Sequence, residues 1–143
     1  MSKFLIIIIA ISIFIAYAIF KYSRFNKKIK NEVEEFKRNR EYLSPEKLYD
    51  DFKDHNSVSK ELFTNILNCI YEEFDLEIAG YIRLDDDFET KLSFIWKFYD
   101  EWKDIELLEK IENKFQIKIT DTEAKSIITV KDLILLVKRK LDQ

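Results

Sequence analysis

The chain opens on an unbroken apolar run, Phe4 to Phe20 (FLIIIIAISIFIAYAIF), with no charged residue in its 17 positions. At about 1.5 Å each these residues reach roughly 25 Å, near the lower limit for crossing the hydrocarbon core of a bilayer. Beyond it the pattern turns amphipathic. Phe25, Ile29, Val33 and Phe36 recur at helical spacing and extend the first helix into residues 22–43. Ser44-Pro45-Glu46 is a helix start, predicting a short helix to about Phe52, and Asp54-His55-Asn56-Ser57 reads as a loop. Leu62, Ile66, Ile70 and Phe74 repeat every four residues and predict a helix over about 59–74, with Phe63, Leu67 and Cys69 beside the stripe.

Residues 75–90 form a connector holding Gly80 and the acidic run Asp85-Asp86-Asp87. Leu92 to Trp102 is rich in aromatics. Leu92, Ile95, Tyr99 and Trp102 share one helical face, while Phe94, Trp96 and Phe98 widen the apolar girth, leaving a side for a partner or for solvent. From Ile105 to Phe115 the spacing predicts an amphipathic helix with Leu108, Ile111 and Phe115 inward. Gln116 to Ile119 alternates, but over too few residues for a stable strand. Thr120-Asp121-Thr122-Glu123 is a capping box opening a short helix to about Ser126. Thr129-Val130-Lys131-Asp132 opens the last helix, whose buried stripe is Val130, Leu133, Leu136, Val137 and Leu141. Lys138, Arg139 and Lys140 occupy its last turn, where the helix dipole favours cations. The whole pattern is all-α.

Composition narrows the choice. With one glycine and one proline in 143 residues, turn-rich sandwiches, barrels and glycine-rich phosphate loops are disfavoured. Charged residues make up 36% of the chain, yet the net charge is only −3, without the clustered basic excess of a nucleic-acid binder. The charge is unevenly placed: residues 1–56 carry 11 basic and 8 acidic groups, and residues 57–143 carry 13 and 19. A basic, membrane-proximal part is thus joined to an acidic domain. A single cysteine, Cys69, permits no disulfide within the chain.

The charges flanking the apolar run set its orientation. Only Lys3 precedes it, whereas Lys21, Arg24, Lys27, Lys28 and Lys30 follow directly. The positive-inside rule then predicts a single-pass anchor in the cell membrane, lipid-embedded through residues 4–20, with the C-terminal domain cytoplasmic. Ala16-Tyr17-Ala18 resembles a signal-peptide cleavage site, the competing reading, but the basic residues behind it resist translocation. The same stretch can meet anionic headgroups or act purely as a topology signal. Three divisions follow: an anchor over 1–22, a basic and polar juxtamembrane helical linker over 23–57, and a helical domain over 58–143.

Candidate chemistry is sparse. His55 is the only histidine and lies far in sequence from Cys69, which sits on an apolar face and reads as a small buried hydrophobe. The three adjacent aspartates lack the glycine and the bidentate glutamate of a calcium loop, so they read as solvated loop or helix cap. The expectation is no catalysis and no metal.

The stretch Ile105-Glu106-Leu107-Leu108, Ile111-Glu112, Phe115-Gln116-Ile117-Lys118-Ile119, Asp121, Glu123-Ala124, Ile127, Thr129-Val130, Asp132-Leu133 resembles the second half of an acyl carrier protein. That family carries a Val/Ile-Glu-Leu helix, then Phe-x-Ile-x-Ile, then Thr-Val-x-Asp-Leu. Asp87-Phe88 with Leu92 is similar to the segment preceding its active site, and helix 59–74 would be its first helix. The resemblance spans 59–141 and implies a small four-helix bundle behind the transmembrane helix. Carriers attach 4′-phosphopantetheine to a serine four residues before the Val/Ile of that helix. Counting back from Ile105 lands on Glu101, which has no hydroxyl, and the closest substitute, Ser93, stands well upstream. The resemblance therefore implies a carrier-like domain lacking the modified serine: a non-catalytic, membrane-anchored adaptor without prosthetic group. Its docking residues for a protein partner would be Trp96, Trp102, Asp104, Glu106 and Glu109. Two other readings stay open. One is an atypical acyl carrier protein modified at a displaced hydroxyl. The other is a small membrane accessory or immunity-type protein, in which helix 59–74 would not pack antiparallel to helix 103–115.

Overall fold

The computed structural model describes residues 3–52, 57–74, 76–99 and 103–143. All regular structure among them is helical: α1 (Lys3–Lys37), α2 (Pro45–Phe52), α3 (Lys60–Glu73), a 3-10 turn (Leu76–Tyr81), α4 (Ser93–Tyr99), α5 (Lys103–Phe115), α6 (Asp121–Lys125) and α7 (Val130–Leu141). The chain divides into two compact units, residues 1–35 and 36–143.

The first unit is most of α1. Every described side chain from Lys3 to Lys28 is exposed, including the entire apolar run. A helix apolar on all sides has no stable place in water. It is long and apolar enough to cross a membrane by length and composition. The Phe25-Ile29-Val33-Phe36 stripe continues this helix without a break to Lys37. Asn39 then stops it with a left-handed φ of 65°, which asparagine tolerates better than most residues.

The second unit is built around α3. Ser59 caps its N-terminus, accepting from the Leu62 N–H at 3.2 Å. The stripe predicted from the four-residue spacing is largely inward: Phe63, Ile66, Leu67, Cys69 and Ile70 are fully buried. Each such side chain contributes on the order of 2 kcal/mol of transfer free energy. Against this stripe pack α2, α5, α7 and the 3-10 turn. Glu73 meets Lys110 at 3.4 Å while Lys114 reaches the Cys69 thiol. The partner numbers fall on α5 as they rise on α3, so these two helices run antiparallel.

Several expectations need correction. The compact unit begins at Phe36, not at residue 58, because α2 is part of it: Leu48 and Phe52 are buried, and the Phe52 and Tyr49 rings lie 5.2 and 5.3 Å from Phe63. On α5 it is Leu107 with Ile111 that is buried, and Leu108 is half-exposed. On α7 Ile134 joins the core, while Leu141 in the last turn is 44% exposed. Phe94 is buried, its ring 5.4 Å from Phe36. The Asp54–Asn56 part of the predicted loop, with His55, and Trp102 lie outside the described residues.

The largest departure is in the acidic run. Asp86 is only 1% exposed. Arg40 donates to both its carboxylate oxygens, at 2.7 and 2.9 Å, and the Arg83 N–H adds a bond at 2.7 Å. Arg40 also donates to the Tyr81 carbonyl and lies 4.0 Å over the Phe36 ring. Asp87 is half-buried and caps the following turn: its Oδ1 accepts from the N–H groups of Glu89 and Thr90. Buried Asp86 corrects the solvated-loop reading, while Asp87 acts as a cap on the turn before α4, the other half of that reading.

Arg40→Met should leave the Asp86 carboxylate buried without its guanidinium and lower unfolding free energy by about 3 kcal/mol. Urea unfolding of the full-length protein in detergent measures this, and a loss under about 1 kcal/mol would show that the pair does not hold the segment. Gly80 supplies a second test. A Cβ there would stand 2.0 Å from the Tyr42 ring. Gly80→Ala should expel that ring and its edge-on contact with Tyr81, 5.9 Å between centroids, at about 1 kcal/mol. In a Tyr42→Ala background the same change should cost almost nothing, so the double-mutant cycle must be non-additive.

Candidate functional site

An open groove of about 490 Å³ lies between the 88–96 segment, α5 and the α6–α7 region. Its position follows from main-chain ties. Phe88 N–H donates to the Ile128 carbonyl at 2.9 Å, Val130 N–H to Asp86 at 3.2 Å, and Lys131 N–H to Leu84 at 2.9 Å. Asp87 and Thr129 form an antiparallel bridge. The connector is thereby fastened along the start of α7. Thr129 caps that helix reciprocally with Asp132, at the helix start expected from the sequence.

Buried Leu107 and Leu133 contribute to the apolar lining. Trp96, Leu108, Ala124 and Ile127 are half-buried around it. The Trp96 indole N–H donates to the Phe88 carbonyl at 2.8 Å, and its ring lies 5.2 Å from buried Phe74. These contacts hold the indole in place at the groove. Exposed Glu89 and Lys125 bring charge of both signs to the lining, and Ser93 brings a hydroxyl.

α6 is only five residues long and needs outside support. Its capping box is complete, Thr120 accepting from the Glu123 N–H while the Glu123 carboxylate accepts from the Thr120 N–H. Lys140 of α7 reaches the same carboxylate at 2.8 Å. The hydrogen bond from Lys140, then that from the Thr120 backbone, hold the Glu123 carboxyl well below the usual carboxylate range, at about 2. α6 is thus pinned to α7 by one charge pair.

The sequence-predicted site residues are only partly brought together. Trp96 lines the groove. Glu106 and Glu109 are exposed on α5 and are not among the lining residues. Asp104 falls in α5, but its side chain, together with Glu101 and Trp102, lies outside what the structure describes. Ser93 opens α4 and lines the groove; its hydroxyl donates to the Thr90 carbonyl at 2.7 Å. Cys69 is fully buried and burial pushes its thiol pKa up, the opposite of what a nucleophile needs. Among the described residues no group of three His, Cys, Asp or Glu side chains is placed to hold a metal ion. Sequence reasoning missed Leu107, Ala124, Lys125 and Ile127 as groove residues. Helical periodicity can sort an inward face from an outward one, but it cannot mark the half-buried margins where three elements meet. No family model matches the chain.

The α6 pin carries a pH signature. A carboxyl whose folded pKa lies below its unfolded value of about 4.5 stabilises the fold above 4.5 and loses that contribution as pH falls toward 2. Lys140→Gln should therefore raise the Glu123 titration midpoint toward 4.5 and weaken the acid dependence of α6 between pH 4.5 and 2. Carboxyl-detected NMR titration reads both, and an unchanged midpoint would show that Lys140 is not the cause.

Proposed function

We propose that this protein is a single-pass, membrane-anchored adaptor whose cytoplasmic, carrier-like helical domain binds a protein partner without a prosthetic group and without catalysis. The observation that carries the reading is the groove itself: an apolar trough of about 490 Å³, partly open to solvent, with a fixed indole in its lining. Such a trough suits an apolar side chain presented by a partner. The exposed Glu106 and Glu109 of α5 favour a partner with basic residues beside that apolar anchor. The antiparallel pairing of α3 with α5 supports the likeness to carriers over the accessory or immunity-type reading. The fully exposed apolar run of α1 supports the anchor.

A second reading draws on one observation. Ser93 stands at the start of α4 and in the lining of the groove, which favours an atypical carrier modified at that hydroxyl.

The deciding experiment is the intact mass of the full-length protein after co-expression with a broad-specificity phosphopantetheinyl transferase. The adaptor reading expects an unmodified mass. A gain of one phosphopantetheine group would overturn it, and peptide mapping would then test Ser93. In the unmodified case a photo-crosslinking residue at Leu108 should trap one discrete protein adduct, and the same residue at exposed Lys118 should not. Equal labelling from both positions would remove the groove as the docking site.

A further inference from the structure

The basic residues that follow the apolar run form a surface with its own chemistry. Phe20, Arg24, Lys27, Lys28 and Asn31 line one shallow groove along α1. Their offsets of four, seven, eight and eleven place them on a single helical face, since each residue turns the helix by about 100°. The Arg24 guanidinium lies over the Phe20 ring, 5.6 Å from its centroid, so the last aromatic of the apolar run and the first of these three cations form one unit. Arg24, Lys27 and Lys28 are all exposed. At about 1.5 Å per residue their backbones stand roughly 6 to 12 Å beyond Phe20 along the axis, from inside a headgroup layer about 5 to 8 Å thick to just outside it, where long basic side chains reach back to the phosphates. No carboxylate occurs between Phe20 and Glu32.

We propose that this face of α1 binds the phosphates of anionic lipid headgroups in the leaflet where the apolar run ends. The inference rests on α1 being a membrane anchor, and it goes beyond that reading by assigning a lipid class to named side chains. A topology signal needs only a count of positive charges. It does not need Arg24, Lys27 and Lys28 on one face, or an aromatic under the guanidinium. Guanidinium and ammonium groups at this depth match lipid phosphate in charge and in donor geometry. The partner is lipid rather than nucleic acid because the apolar run fixes these groups at the membrane surface, while the chain as a whole carries −3.

The test uses the full-length chain in phosphatidylcholine nanodiscs containing a minority of phosphatidylglycerol, both leaflets alike so that insertion direction has no influence. Spin-labelled phosphatidylglycerol and spin-labelled phosphatidylcholine report, by their motionally restricted fraction, which lipid sits against the protein. The expected result is a preference of about fivefold or more for phosphatidylglycerol, weakened at high salt. The triple variant Arg24→Gln, Lys27→Gln, Lys28→Gln should bring the two lipids to near-equal association. Equal association in the wild type, or an undiminished preference in the variant, would overturn the inference while leaving the anchor intact. Failure of the chain to enter the nanodisc would instead remove the anchor reading, and this inference with it.

Discussion

The domain depends on one carboxylate being carried into its interior. Asp86 sits at 1% exposure in a loop, where a lone charge would cost several kcal/mol to bury. It is held there because Arg40 closes on it with a two-pronged pair and the Arg83 N–H fills a third site. The consequences run outward from that point. Arg40 belongs to the segment leaving α1, so the pair ties residues 36–43 to the connector; Leu43 N–H to Gly80 at 2.8 Å and the Arg83 guanidinium to Glu41 continue the seam. On the other side, the Asp86 carbonyl receives Val130 N–H, fixing the connector to the start of α7. A single loop residue thus joins the first part of the domain to its last helix.

That seam explains why a groove exists where it does. The 84–88 stretch has no helix or strand to stiffen it. Its shape comes from Asp86 inward, from the bonds to 128–131, and from Asp87 capping the turn that leads into α4. With the turn fixed, Phe88 and Trp96 are brought together by the indole hydrogen bond, against Phe74 of the core. The other margin rests on α6, a helix too short to stand alone and held by its capping box and the Lys140–Glu123 pair. Two polar devices therefore position an apolar trough, and neither contributes an apolar surface to it.

The sequence made most of the helical order legible, and for a definite reason. Regular spacing of Leu62, Ile66, Ile70 and Phe74, the capping box at Thr120 and the helix start at Thr129 are local signals, and local signals survive folding. The end of α5 at Phe115 was read from the spacing alone, without a stop residue. Gln116 adopts a left-handed φ of 53° where glycine is the usual stop, so the turn left no glycine to find. Inward faces were read to within a residue or two; Leu108 was preferred over Leu107 because both lie on the apolar side and only tertiary contact chooses between them.

The site was less legible than the fold because it depends on pairings between distant residues. Nothing near Asp86 distinguishes it from Asp85 or Asp87. Its partner is 46 positions away, and three adjacent acids present the same local pattern whichever of them turns inward. Periodicity carries no information about such a choice, and composition argues against burying any of the three. The connector, nominally the least structured part of the domain, is thus where a long-range ion pair fixes the geometry, and the groove inherits its shape from that pair. A chain with one glycine and one proline has few conventional turn residues with which to shape a loop of this length. Here buried charge and side-chain caps take over that task, which is why the turn chemistry was hidden among residues that look like ordinary surface acids.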